Sequence, residues 1–321
     1  VEELIQSTGK PVFSAAGADL DDEDLEEEEE IEVEVEEEEE EVEEELYEAE
    51  ETEEEEISDE EEIEDEAAQE GIEDVGTLDS VVQCADLLLS ILPPAAAATF
   101  AAEATAVMIK NGRRPLFADC NAVAPATVAA IAQVVAPAGA PFVDVGIVGR
   151  GPRLGGERTR FYVSGPKRAA LLALDCPSIA FVDLGPEIGR ASALKMVYAA
   201  LNKGTDALFA AVLLAAGRLG VRDSLLQECA GSQQQALARM RARLPFLAAT
   251  AERYVPEMAE IADTFSEVGV TPAFHDGAEW LYALLATTPY AAETRATLPA
   301  QRSLETALDV YDAALESKGS E

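Results

Sequence analysis

The sequence is poor in several residue types that carry chemistry. Its 321 residues include one histidine, one tryptophan and four cysteines, and no lysine or arginine lies between Lys10 and Lys110. The cysteines (Cys84, Cys120, Cys176, Cys229) are far apart, without the paired spacing of a zinc or redox motif. No metal site and no disulfide framework is expected, and a reducing, cytoplasmic setting fits best. The lone histidine, His275 in "AFHDGAEW", reads as a structural group rather than a catalyst. No dense basic stripe occurs, so nucleic acid is not an expected partner. The opening "VEELIQSTGK" lacks the basic start and apolar run of a secretory signal. Residues 122–143 are uncharged over about the length of a membrane span, but Pro125, Pro137, Gly139 and Pro141 interrupt them. They read as a helix and a strand of a core, and no membrane span is expected.

What is abundant is acid. Of the 65 Asp and Glu residues, 38 fall between Asp19 and Asp74; residues 75–321 carry a net charge of only about −4. Apolar residues in this block are too sparse to offset chain entropy and its charges repel, so residues 19–66 are expected to be disordered or only locally helical. Solubility, a basic partner, or no role at all are each compatible with such a composition.

Beyond the acidic block the pattern is that of strands alternating with helices. "LLLSIL" (87–92), "PLFADCN", "PFVDVGIVG", "RFYVSG" and "IAFVD" are short apolar runs of buried-strand type. "AAAATFAAEATAVMIK" and the stretch from Pro125 to about Val135 read as intervening helices, the first closed by Asn111-Gly112. This predicts an α/β, Rossmann-like, mainly parallel sheet. After Gly189 strand-like runs cease, and helical patterning continues to about residue 316, giving an all-α C-terminal domain. The expected organisation is residues 1–18, an acidic segment 19–70, a sheet domain 71–188 and a helical domain 189–321. No internal repeat is present.

Ligands of open parallel sheets bind beyond the carboxyl ends of the strands. Three such ends are Leu92-Pro93, Asp119-Cys120-Asn121 and the Gly146–Gly151 stretch, which runs into "GRGPRLGGERTR". Arginines among glycines suit the clasping of a carboxylate or phosphate, and equally suit a solvated loop. In "GRASALKMVYAALNKG" and the residues that follow it, Leu194, Val197, Leu201, Leu208 and Phe209 have the spacing of a buried face. Ser192, Lys195 and Asn202 follow another line of that helix. Lys195 is read either as a snorkelling surface lysine or as a proton-transfer group in a cleft.

"FADCNAVAPATVAAIA", "GAPFVDVGIVG" and "GRASALK" together resemble, in order and spacing, the β-hydroxyacid dehydrogenase and 6-phosphogluconate dehydrogenase superfamily. "ASALKMVYAALNKGTDAL" and "RYVPEMAEIADTFSEVGVTPAFHDGAEWLY" are similar to a subgroup whose NAD-binding domain precedes a small helical domain of uncharacterised function. The resemblance implies a nicotinamide-dependent oxidoreductase acting on a small anionic hydroxy acid, with Lys195 as general acid/base and a homodimer formed through the helical domain. It implies substrate contacts at Asn121, Gly149, Arg150, Ser192 and Asn202, and cofactor contacts at Leu92, Pro93 and Asn121.

The departures from the family pattern are also specific. The serine-glycine-glycine that holds the substrate carboxylate falls on Val148-Gly149-Arg150, and the asparagine four residues after the lysine is Ala199. Asn202 keeps an amide on nearly the same face. No G-x-G-x-x-G occurs in residues 1–80, and residues 1–18 resemble the end of a first helix and a second strand, so the first strand and its glycine loop are expected to be missing from this sequence. The lack of basic residues between Lys10 and Lys110 favours NAD over NADP. The alternative is a non-catalytic, acidic interaction protein on a dehydrogenase scaffold that has lost its dinucleotide loop.

Overall fold

The computed structural model describes residues 73–149, 158–174, 176–294 and 297–318. The expectations for residues 1–18, for the acidic segment and for a missing first strand and glycine loop lie outside the described residues. Helix α1 (Leu78–Cys84) opens on Thr77, whose side chain accepts from the Ser80 amide. There follow β1 (Leu87–Ser90), α2 (Pro94–Asn111), β2 (Leu116–Asp119), α3 (Pro125–Val135), β3 (Phe142–Val148), β4 (Thr159–Ser164), the short α4 (Ala169–Leu172) and β5 (Ile179–Asp183). Proline stands at the start of both α2 and α3, where a missing N–H costs nothing. Gly112, in the left-handed region at φ 65°, ends α2.

Among the described residues the strands form one sheet in the order β1-β2-β3-β4-β5. β1, β2 and β3 pair in parallel, β3 and β4 antiparallel, and β4 and β5 in parallel. The sheet is therefore mainly parallel, with one antiparallel step at the β3–β4 connection. Phe117 and Phe142 of the sheet pack with Ala101 and Met108 of α2 and Val128 and Ile131 of α3. Ala118, Val143, Val145, Phe161 and Val163 form a second cluster.

The rest is helical. Helix α5 (Arg190–Arg218) is followed by α6 (Arg222–Ser232), α7 (Gln234–Arg243), a 3₁₀ stretch (Leu244–Thr250), α8 (Ala251–Glu267), α9 (Ala273–Leu285) and α10 (Leu304–Lys318). At 1.5 Å per residue α5 is about 43 Å long, and it packs on both the sheet and the helical domain. Its orientation overturns one expectation. Val197, Leu201 and Leu208 are 48, 64 and 60% exposed, while Met196, Ala199, Ala200, Ala207 and Ala210 are buried. Close approach to neighbouring elements selects mostly small side chains in the first half of the helix, with Met196, Leu213 and Leu214 the large residues buried beside them. By length and composition α5 could cross a membrane, but half of its apolar window is buried inside the fold. Its buried Lys203 and Asp206 are held by Glu257 of α8 and by Arg239 and Arg243 of α7. Those are the features of a core helix.

His275 lies on α9, 7% exposed, edge-on to Phe265 at 4.2 Å between ring centroids and against Gly204 of α5. Burial lowers its pKa, and the adjacent Asp276 carboxylate opposes that only in part. The fold thus accommodates the neutral ring. Below about pH 6.5 the unfolded chain takes up the proton first, so stability present above that pH is lost as pH falls through the folded-state value. We expect the unfolding free energy of wild type minus that of His275→Gln to decline on acidification from roughly pH 7.5 to 5.5 in urea titrations. A difference that stays flat with pH contradicts the structural role of a neutral His275.

Candidate active site

The carboxyl ends of β1 and β2 are tied together by one amide. Asn121, 2% exposed, donates from Nδ2 to Ser90 Oγ and to Asp119 Oδ2, both at 3.0 Å. Its Oδ1 accepts from the Leu92 amide at 2.7 Å, and its own amide donates to Asp119 Oδ1 at 3.1 Å. Asn121 therefore fixes the backbone at Leu92-Pro93, the start of α2. Three residues expected at the cofactor, Leu92, Pro93 and Asn121, are brought together at this edge.

Asp119 is buried at the same edge, and its pKa is pushed up to about 6. Loss of hydration is the main cause; the hydrogen bonds from Asn121 work against it, the Asp144 charge adds to it, and Lys195 opposes it. Burial also pushes the Cys120 thiol up to about 12, which keeps it protonated and inert as a nucleophile. Lys195 acts electrostatically on both groups, and so stands at the ends of β2 and β3.

A glycine sets that position. Gly146 in β3 faces the first turns of α5, and a Cβ there would lie 2.7 Å from the Ala191 carbonyl oxygen and 3.3 Å from Lys195 Cβ. The half-buried Lys195 thus leaves its helix directly over β3. Asp144, two residues earlier on the same face of the strand, is fully buried. Its Oδ2 accepts from the amides of Gly189 (2.8 Å), Ala191 (3.0 Å) and Ser192 (3.3 Å) and from Ser164 Oγ (2.7 Å). Its Oδ1 accepts from Ser192 Oγ at 2.7 Å.

Ser192, expected to orient Lys195 or to touch substrate, is 1% exposed, and its hydroxyl donates to Asp144 rather than to the lysine. Asn202 does share a helix face with Lys195 but lies about 10 Å further along the axis, where its carbonyl accepts from Arg239 of α7 at 3.1 Å. Gly149 follows β3 at φ 113°, next to Thr159 and Arg160. Arg150 and the loop to Glu157 lie outside the described residues. Arg158 is held to the backbone, donating to Cys176 O at 2.7 Å and to Ile179 O.

Two carboxylates at this edge escaped the sequence reading. The signal for Asp144 was present: an acid inside the apolar run "PFVDVGIVG". Glu260 gave none. From α8 its Oε2 accepts from the Ala124 amide at 2.7 Å and from Thr127 Oγ1 at 3.1 Å. It thereby caps α3 with a residue 136 positions away. Among the described residues no group of three or more His, Cys, Asp or Glu could hold a metal ion.

The profile of the family described as "Domain of unknown function (DUF1932)" matches residues 216–285. The fold is similar to that of a conserved hypothetical protein from Sinorhizobium meliloti 1021. Identity there is 25% and the TM-score 0.56, covering 79% of this chain and 83% of that one. It is also similar to the conserved protein MTH1747 of unknown function, described as structurally similar to 3-hydroxyacid dehydrogenases. That match has 25% identity, TM-score 0.52, and covers 69% of this chain and 82% of the other. The 3-hydroxyisobutyrate dehydrogenase of Mycobacterium tuberculosis, solved with L-serine, shares the fold at 16% identity and TM-score 0.51. The match covers 76% of this chain and 85% of that one. No curated protein matches the sequence significantly.

Proposed function

We propose that this chain, a 3-hydroxyacid dehydrogenase-like protein of the β-hydroxyacid and 6-phosphogluconate dehydrogenase superfamily, is a soluble, cytoplasmic NAD(P)-dependent oxidoreductase that acts on a small hydroxy acid. The observation that carries this reading is the seating of Lys195 over Gly146, electrostatically coupled to Asp119. The 3-hydroxyisobutyrate dehydrogenase solved with L-serine, a small hydroxy acid, lends support from the same fold.

The helix N-termini at this edge give a test of fit to a nicotinamide cofactor. That of α3 is closed by Glu260, whereas α2 begins at Pro93-Pro94 with no side-chain cap. The latter has no N–H at Pro93 or Pro94 and the Ala96 amide donates to Pro93 O, so beside Leu92 and Asn121 the Ala95 amide is the first-turn donor left for a cofactor oxygen. When bound, the cofactor supplies the acceptor or donor of hydride. Lys195 handles the proton: its neutral amine takes the hydroxyl proton as the carbinol carbon is oxidised, and its ammonium returns it in reduction. Gly149 and Arg150 are assigned to the substrate carboxylate, Arg150 by sequence position alone. Ser192 serves the start of the helix.

The test is calorimetric titration of the chain with NADH and NADPH, then spectrophotometric assay of hydride transfer over a panel of small 3-hydroxy acids. Saturable cofactor binding with turnover of at least one acid is expected, NAD being preferred. Failure to bind either nucleotide overturns the enzyme reading and favours the acidic, non-catalytic one.

The outward stripe of α5, Val197, Leu201, Leu208 and Val212, is assigned to a homodimer contact, since such a row of large apolar side chains is costly to leave in water. Light scattering at micromolar concentration is expected to show a dimer, and Leu201→Glu with Leu208→Glu a folded monomer. A monomeric wild type contradicts the assignment.

A further inference from the structure

We propose that Asp144 is the positioning residue of this site: reaching from the middle of β3, its carboxylate fixes the first turn of α5 and thereby the Lys195 side chain against Gly146. The role rests on the reading of Lys195 as the proton-transfer residue.

Three observations carry it. First, all five donors to Asp144 belong to the start of α5 or to the strand beside β3. Gly189, Ala191 and Ser192 give amides, Ser192 adds its hydroxyl, and Ser164 of β4 gives the fifth bond. The Ala191 amide also reaches Ser164 Oγ at 3.1 Å, tying β4 into the same knot. Second, Gly189 precedes the helix at φ 96° and Gly189–Arg190 brings no side-chain cap. The helix start therefore takes its acceptor from the sheet. Third, strand and helix stay in step. Asp144 meets Ala191 and Ser192, and Gly146, the next residue on that face, meets Ala191 and Lys195. One turn of helix separates Ser192 from Lys195, so a shift at Asp144 is passed directly to the lysine.

A carboxylate suits the task because it offers two oxygens with about four lone-pair positions and no donor of its own. In Asp144→Asn the oxygen keeps the three amides and the new NH₂ faces Ser192 Oγ, which can accept. The helix start keeps its hydrogen bonds but loses the negative charge beneath it.

The experiment follows the lysine itself. The chain has six lysines, so protein labelled with ¹³C-lysine gives few ε-methylene NMR signals, and Lys195→Arg identifies the one sought. Asp144→Asn keeps the bonds of the helix start and so reports only the charge; Ser192→Ala breaks one bond between strand and helix at unchanged charge and carries the test. The Lys195 signal and its midpoint are expected to move in Ser192→Ala, while Lys110 and Lys318 titrate as in wild type. A folded Ser192→Ala protein with an unmoved Lys195 signal overturns the proposal. Should Ser192→Ala fail to fold, Ser164→Ala breaks the bond from β4 to the same carboxylate, with the same two outcomes. The two readings fail separately. A wild type that transfers no hydride, with a Lys195 signal that moves in Ser192→Ala, removes the enzyme and leaves Asp144 in its role. Turnover with an unmoved signal does the reverse.

Discussion

Lys195→Met is expected to lower hydride transfer by about 10²–10⁴-fold, the usual contribution of one positioned general acid or base. Methionine keeps the length and nearly the helix propensity of lysine but has no titrating proton. Lys195 is only half-buried, so its loss removes no core packing, and unfolding free energy should change by less than about 1 kcal/mol. Nucleotide affinity measured by calorimetry should be retained, because the residues assigned to the cofactor, Leu92, Pro93 and Asn121, are held by one another and by Ser90. Turnover close to wild type would remove the lysine from the reaction.

Gly146→Ala is the second large effect, and it acts on both stability and rate. The added methyl would sit 2.7 Å from the Ala191 carbonyl oxygen. That atom belongs to the backbone of a buried helix start and cannot swing aside as a side-chain tip could. Helix α5 must move away from β3, at a cost of about 1–3 kcal/mol by analogy with overpacked cores. The movement loosens the bonds from Gly189, Ala191 and Ser192 to Asp144 and carries Lys195 off the strand edge. Misplacement of a catalytic group by an ångström costs about 10²-fold in rate. Urea unfolding and the hydride-transfer assay read the two consequences. A variant of wild-type stability and rate would show that the close contact is not needed.

Much of the architecture was legible because local rules governed it. The runs "LLLSIL", "PLFADCN" and "PFVDVGIVG" are the strands β1, β2 and β3. Helix α3 spans Pro125–Val135, since proline at its first turn and apolar residues at helical spacing define it without reference to the rest of the chain. The same reasoning failed on α5. Its large apolar residues have the period of a buried face, yet the helix buries its alanines and methionine and turns Leu201 and Leu208 outward. Periodicity tells that a face exists; which face is covered depends on how near the neighbours come, and here Gly146 allows the backbones to touch.

The candidate site divides along the same line. Lys195 stood out in the sequence because an Ala-rich, apolar helix holds few reasons for a lysine. Asn121 could be placed at a strand end, although its bonds to Ser90, Asp119 and Leu92 could not. Ser192 was assigned to the lysine on helix geometry, and the strand beneath claimed its hydroxyl instead. Glu260 reads as one more surface glutamate until the fold carries it to the start of α3. The sequence alone determined the order of strands and helices, the long apolar helix and the identity of its unusual lysine, because backbone sterics and the period of burial act over a few residues. Only the tertiary structure decided which buried acid holds that helix, which face of it is covered and where the lysine stands. Those outcomes depend on contacts such as those of Asp144 with the start of α5, between residues some 45 to 48 positions apart, and no local pattern encodes them.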